Sequence, residues 1–152
     1  MTTIYERLKA LQINLPEGPP PVVDGYLPSF VPFVRTGNLI YLSGRLVKKD
    51  GKPFSGKLGQ QITTAEGRQA ARDIAIELLA TLEAALGDLN RMKHIVKLLV
   101  LVNSAPGFTE PHEVANGASE LLLKVFGERG AHARALPLAR RRSHSVPVSR
   151  SR

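Results

Sequence analysis

The sequence predicts an α+β fold, because two strand-like runs are followed by a helix, a third strand and a second helix. Its 152 residues are the length of one domain. The first two strands are predicted at Phe30 to Arg35 and Leu39 to Leu42, on either side of Thr36-Gly37-Asn38. A short turn segment between two β-rich runs is typical of a hairpin.

Two further segments frame this hairpin. Apolar residues at helical spacing predict a short amphipathic helix over residues 2–12, and the prolines that follow end it. We therefore assign residues 1–29 to an N-terminal helix and a Pro-rich lead-in. After the hairpin, residues 47–59 form a polar loop that contains an Asp50-Gly51 turn and has room for a short edge strand.

The second half of the chain alternates between helix and strand. Thr64 is the predicted N-cap of a helix whose apolar residues keep to one face until Gly87 ends it. Residues 95–102 are almost continuously apolar, which is typical of a central strand covered by helices. A second helix is predicted from about Thr109 to Phe126, and the pattern then requires one more strand that begins near Ala131.

The composition excludes several classes of protein. There is no cysteine, which excludes disulfides and thiolate chemistry and fits the reducing cytoplasm that we expect. No apolar run approaches the roughly 18 residues of a membrane span, and the N-terminus does not have the pattern of a signal peptide. His94, His112 and His132 lack metal-ligand spacing and no Gly-rich phosphate loop occurs, so we expect no metal and no cofactor.

The net charge of +8 is concentrated at the C-terminal end. Arg134 and the five arginines after it contribute six positive charges and face no acid, which leaves +2 for residues 1–133. Proteins that bind nucleic acids usually carry their basic excess on a folded face. The charge distribution therefore argues against nucleic acid as a partner.

Four segments together resemble the RidA/YjgF family, in order and in spacing. They are Arg35 to Gly44, Ile95 to Val102, Val114 to Leu122 and Gly130 to Arg134. The resemblance covers roughly residues 25–134, and the longer N-terminus is similar to one branch of the family. The family includes imine and enamine deaminases that were once called L-PSP endoribonucleases. It implies a chorismate-mutase-like (ferredoxin-like) fold, with a mixed sheet, two helices packed on one face, and a homotrimer with clefts between subunits.

The resemblance also implies a site. In deaminase members an arginine that matches Arg134 holds the carboxylate of a 2-imino acid, for which a guanidinium offers two parallel donors; a salt bridge is the alternative role. Ser43 and Gly44 match a turn that lines the same cleft and could orient the substrate or the attacking water. Asn116 matches a recurrent helix residue, for which a structural role is favoured. His132 lies two residues before Arg134 and is a further cleft candidate.

Two departures from the deaminase pattern affect this site. Phe30 stands where the deaminase branch has a tyrosine, so a candidate substrate-binding position lacks its phenolic donor. Deaminase members also use a glutamate on the last strand, and this chain has no acid after Glu128. Arg134 and Ser43 are the catalytic candidates, although no His or Asp pattern near Ser43 would make that serine a nucleophile.

The sequence after Arg134 departs from the family pattern altogether. With suitably chosen codons, His144 to Arg152 can be back-translated and read from the third base as Leu-Gly-Ala-Cys-Val-Glu-Ile-Glu, which resembles the family's last strand. We therefore interpret residues 30–134 as the family domain and residues 135–152 as an aberrant basic tail that replaces the last strand after a frameshift. A genuine basic appendage is the alternative.

The resemblance implies a cofactor-free hydrolase. The expected reaction converts a 2-imino or enamine acid into a 2-oxo acid and ammonia, with Arg134 holding the substrate carboxylate in an inter-subunit cleft. One alternative is a non-catalytic trimer that binds 2-oxo acids, which the missing glutamate favours. The second is the endoribonuclease or translation-inhibitor activity linked to the family's older name, against which the charge of only +2 over residues 1–133 argues.

Overall fold

A computed structural model of the chain describes residues 3–16, 29–49 and 51–136. Within these ranges the protein is α+β, with three α-helices and six short strands. The Pro-rich lead-in lies largely outside the described residues, as does the basic tail from residue 137 onwards, so the interpretation of both segments stays a prediction. No helix in the described ranges has the length and apolar character needed to cross a membrane.

The first helix, α1, spans Ile4–Ala10, inside the range of residues 2–12 predicted for it. It begins with a capping box, in which the Thr3 hydroxyl accepts from the Glu6 amide and the Glu6 carboxylate accepts from the Thr3 amide. The buried residues of α1, Ile4 and Leu8, join the core formed by the two long helices. The N-terminal helix is thus part of the folded domain.

The predicted hairpin is present, but its first strand begins at Phe33 instead of Phe30 and includes Thr36, which was predicted to lie in the turn. Strands β1 (Phe33–Thr36) and β2 (Leu39–Leu42) pair antiparallel around the two-residue turn Gly37-Asn38, where Gly37 takes a positive φ of 55°. The polar loop that follows contains a second short hairpin of β3 (Lys48–Lys49) and β4 (Lys52–Pro53).

The long helix α2 spans Thr64–Leu86, and its cap corrects the prediction by one residue. Thr63, not Thr64, is the N-cap, because the hydroxyl of Thr63 accepts from the amide of Glu66 while the Glu66 carboxylate accepts in return. This reciprocal pair needs a spacing of three residues, which only Thr63 has from Glu66. The helix ends at Gly87, as predicted, in the left-handed region.

The last elements place a parallel strand pair beside the second long helix. Strand β5 (Lys97–Leu99) pairs with β6 (Ala133–Ala135), and α3 (Pro111–Phe126) lies between them in sequence and ends at Gly127. The described strands therefore form three separate pairs, of which two are antiparallel and one is parallel. They do not form the one continuous mixed sheet that the resemblance implied. The helices and small sheets remain consistent with that fold.

The apolar run at residues 95–102, predicted to be a central strand covered by helices, packs one of its two faces against the core of the described chain. Leu98, Val100 and Val102 face the core, as the two-residue period of extended chain requires. The alternate residues Leu99 and Leu101 are 58% and 75% exposed. The apolar run thus has one face packed on the core and one face that no described residue covers.

Two glycines set how closely α3 approaches its neighbours. A Cβ atom at Gly117 would overlap the backbone carbonyl oxygen of Arg68 on α2, and one at Gly130 would overlap the carbonyl oxygen of Leu122. Backbone atoms cannot rotate away as a side chain can, so these contacts require glycine. Gly117 therefore fixes the position of α3 against α2.

We predict that Gly117→Ala destabilises the protein by about 1–3 kcal/mol. Alanine gains about 1 kcal/mol of helix propensity over glycine, but the overlap with the Arg68 carbonyl oxygen outweighs this gain. Gly44→Ala is the matched control, because a Cβ there meets nothing within 4 Å, and we expect a change of less than about 0.5 kcal/mol. Urea denaturation measures both, and equal midpoints for the two variants would contradict the packing argument.

Candidate functional site

Arg134 lies in the middle of β6, paired in register with Leu98 of β5, and its side chain reaches α3. Its Nη1 donates to the Oδ1 of Asn116 at 2.7 Å and to the Oγ of Ser119 at 3.2 Å. Asn116 and Ser119 are three residues apart in the helix and so lie on one face of it. One nitrogen of the guanidinium is thus held by two neutral acceptors.

The other edge of the Arg134 guanidinium has no described partner. Neither Nε nor Nη2 donates a hydrogen bond within the described ranges, and no carboxylate there forms an ion pair with Arg134. A salt bridge within the chain is therefore not its role among these residues. The exposed Nε–Nη2 edge has the parallel donors that a carboxylate accepts.

An ion-pair network behind Asn116 sets which way its amide points. The Asn116 Nδ2 faces the Oε2 of Glu113 at 3.4 Å, and that carboxylate accepts from Arg68 at 3.0 Å. Arg68 also pairs with Glu120 at 2.6 Å. Because the amide nitrogen faces a carboxylate, the amide oxygen is left to face Arg134.

His132, the residue that precedes β6, also contacts Ser119 of α3. Its Nδ1 lies 2.7 Å from the carbonyl oxygen of Gly130, and its Nε2 lies 3.0 Å from the Oγ of Ser119. His132 and Arg134 therefore meet at Ser119, and we call Asn116, Ser119, His132 and Arg134 the arginine cluster. Sequence reasoning missed Ser119, whose only signal was its position three residues after Asn116.

The arginine cluster borders a shallow pocket of about 290 Å³, lined by Ser119, Leu123, Ala131, His132 and Arg134. Among the described residues, the lining contains one cation and one imidazole but no carboxylate. A larger hollow of about 690 Å³ lies beside Tyr5 and Glu83, where α1 approaches α2, and none of the predicted site residues lines it. The larger hollow thus lacks the predicted site residues, and we take the smaller pocket, which Arg134 and His132 line, as the candidate site.

The other predicted site residues lie in a separate group. Ser43 donates its hydroxyl to the carbonyl oxygen of Val31 at 2.6 Å, and Gly44 follows in open space. Phe30 is exposed near the start of this segment. Within the described chain no hydrogen bond or ion pair joins the Ser43-Gly44 turn or Phe30 to the arginine cluster, so the six predicted residues divide between two places.

A half-buried arginine that sequence reasoning missed, Arg45, anchors the Ser43-Gly44 turn. The Nη2 of Arg45 donates to the hydroxyl of Thr81 at 2.9 Å, and Thr81, on α2, is fully buried. The Nε of Arg45 is also buried and has no hydrogen-bond partner among the described residues. Burial lowers the pKa of Arg45 from its ordinary value, while the charge of Glu77 opposes this shift.

The fold and the arginine cluster define a small α+β protein with an open, arginine-lined pocket, and comparison with known proteins gives its family. Residues 6–140 match the profile of the family described as "YjgF/chorismate mutase-like, putative endoribonuclease". The match covers most of the chain, so the chain belongs to this family.

Three similar proteins are informative. The chain is 46% identical over 133 residues to Protein TCP17 of Trypanosoma cruzi, which covers 86% of this chain and 80% of that protein. The solved structure of Atu1372 from Agrobacterium tumefaciens, of unknown function, aligns with a TM-score of 0.75 and 40% identity, over 90% of this chain and 80% of that one. A structure from Shewanella oneidensis MR-1, described as a "putative endoribonuclease", aligns with a TM-score of 0.80 and 33% identity, over 90% and 88% of the two chains.

Proposed function

We propose that the protein is a 2-imino or enamine acid deaminase that hydrolyses its substrate to a 2-oxo acid and ammonia. The observation that carries the proposal is the Nε–Nη2 edge of Arg134, which has no partner among the described residues, while Asn116 and Ser119 occupy the other terminal nitrogen. A guanidinium held in this way binds a carboxylate through two parallel hydrogen bonds without having to release a partner first.

The carboxylate grip would place the reacting atom. In a 2-imino acid the electrophilic carbon is bonded directly to the carboxylate carbon, so holding the carboxylate at Arg134 holds the imine carbon over the adjacent pocket. Ser119 and His132 line that pocket. Water that attacks the imine carbon there would displace ammonia and leave the 2-oxo acid.

We further propose that the complete site forms between subunits of a homotrimer. The separation of the Ser43-Gly44 turn from the arginine cluster in the single chain supports this, because a neighbouring subunit can bring the turn to the pocket. The exposed Leu99 and Leu101 support it as well, since a soluble monomer rarely leaves neighbouring large apolar side chains on a strand uncovered.

A carboxylate-binding protein without catalysis is the second candidate. None of the described residues that line the pocket has a carboxylate that could activate water, which favours this reading. Binding of 2-oxobutyrate by a protein that releases no ammonia from 2-iminobutyrate would identify it. Ribonuclease activity, suggested by the family description, is not favoured, because the net charge outside Arg134 and the tail is only +2.

Ammonia release from freshly generated 2-iminobutyrate tests the deaminase proposal. We expect Arg134→Ala to lower kcat/KM at least about 100-fold, because the lost charge-assisted pair both binds and orients the substrate. Arg134→Lys should recover only part of this loss, since an ammonium lacks the parallel donors. Arg72→Ala, on α2, is the matched control and should keep the rate of the unmodified protein. Equal rates for Arg134→Ala and Arg72→Ala would refute the proposal.

The mass of the particle tests the assembly. We expect light scattering after gel filtration to give a trimer for the unmodified chain and smaller species for Leu99→Asp/Leu101→Asp, because two buried carboxylates without partners would oppose association. Gln60→Asp, an exposed change elsewhere, should leave the trimer intact. A monomeric unmodified chain, or a trimer that survives the double change, would contradict the proposed interface.

A further inference from the structure

The hydroxyl of Ser119 forms hydrogen bonds with two other members of the arginine cluster. A serine hydroxyl has one donor and two acceptor lone pairs. One lone pair accepts from Nη1 of Arg134, and the remaining contact is with Nε2 of His132. Which of the two groups donates in that contact depends on the protonation of the imidazole.

The Gly130 carbonyl determines which tautomer the neutral imidazole of His132 adopts. A carbonyl oxygen only accepts, so the Nδ1 that lies 2.7 Å from it must carry the hydrogen. Nε2 of the neutral ring is then a bare acceptor, and the Ser119 hydroxyl donates to it. The result is a serine whose proton already points to a base, with the base oriented by a third group, as nucleophile and base pairs require.

This assignment leaves Ser119 with one unused lone pair. Ser119 lines the pocket beside Arg134, so a water molecule there can donate to that lone pair. A proton that leaves the water can pass to Ser119 only as the hydroxyl proton of Ser119 passes to His132. The hydrogen bonds therefore define one path for a proton between the pocket and the imidazole, and this path runs through the Ser119 hydroxyl.

We propose that Ser119 and His132 form the proton relay of the Arg134 site. The inference rests on the proposed deaminase function and names the groups that accept and return the proton. Ser119 touches the reacting water and is the catalytic residue of the pair. His132 acts through it and is a positioning and proton-holding residue.

With this relay, every proton and electron pair of the hydrolysis has a donor and an acceptor. A water oxygen forms a bond to the carbon of the protonated imine, the carbon–nitrogen π pair moves to nitrogen, and the water proton is taken by Ser119 as His132 becomes imidazolium. The imidazolium then returns a proton through Ser119 to the amine nitrogen. The carbon–nitrogen bond breaks with its electron pair on nitrogen, the hydroxyl oxygen forms the carbonyl, and the hydroxyl proton leaves with ammonia as ammonium.

The charges around the relay fit this sequence. The guanidinium of Arg134 donates to the Ser119 oxygen and so stabilises negative charge on it as its proton moves. Within the described chain, the imidazole forms hydrogen bonds with Ser119 of α3 and with the Gly130 carbonyl, and Arg134 lies two residues further along the chain. No carboxylate of the described residues forms an ion pair with His132, so Nε2 of the ring keeps its contact with Ser119.

The test measures catalysis and binding separately in Ser119→Ala, Ser119→Thr and His132→Gln. We expect Ser119→Ala and His132→Gln each to lower kcat for 2-iminobutyrate hydrolysis at least about 100-fold, the usual range for a lost acid–base group. The dissociation constant of 2-oxobutyrate should stay within about threefold, because the Nε–Nη2 edge of Arg134 remains. Ser119→Thr, which keeps the hydroxyl, should rescue most of the loss.

The outcomes separate this inference from the proposed function. An unmodified protein that releases no ammonia above the buffer rate would overturn both. An active protein in which Ser119→Ala and His132→Gln keep kcat within about threefold would overturn the relay alone. Loss of activity in Ser119→Ala with full activity in His132→Gln would also overturn it, because the serine would then act without the imidazole. Thermal melting of each folded variant separates a lost relay from a lost fold, and if Ser119→Ala does not fold, His132→Gln decides.

Discussion

The hydrogen bond from Arg134 to Asn116 is the contact on which the candidate site depends. Strand β6 is only three residues long and pairs with β5 alone among the described strands, so β6 by itself does little to aim the Arg134 side chain. Helix α3 supplies the aim through Asn116 and Ser119. The position of α3 is in turn fixed where Gly117 meets the backbone of α2, so helix packing determines where the guanidinium lies.

Neutral acceptors contact Arg134, whereas the nearby carboxylates of α3 pair with Arg68. Two acidic residues, Glu113 and Glu120, pair with Arg68, and the described partners of Arg134 are an amide oxygen and a hydroxyl oxygen. A carboxylate against Arg134 would neutralise it and compete with an anionic ligand, whereas neutral acceptors hold the side chain and leave its charge for the ligand. The network thus keeps one arginine structural and the other available, although both contact the same face of α3.

Sequence patterns predicted most helices and strands, but they did not predict which residues of those elements would be exposed or would contact Arg134. The helix ends at Gly87 and Gly127 and the hairpin at Gly37 follow from glycine chemistry that acts over a few residues. The exposure of Leu99 and Leu101 did not follow, because an apolar run is the same whether its second face is covered by the chain itself or by another subunit. Ser119 was missed, since its position three residues after Asn116 is a weak signal until the fold brings His132 and Arg134 to it.

The most direct test of the account is a crystal structure of the protein with bound 2-oxobutyrate. It should place the two carboxylate oxygens at hydrogen-bonding distance, about 2.7–2.9 Å, from Nε and Nη2 of Arg134, while Nη1 keeps its bonds to Asn116 and Ser119. The Ser43-Gly44 turn of a neighbouring subunit should border the ligand. A carboxylate bound away from Arg134, or one that displaces Asn116 from Nη1, would contradict the central claim that the cluster presents a preformed carboxylate grip.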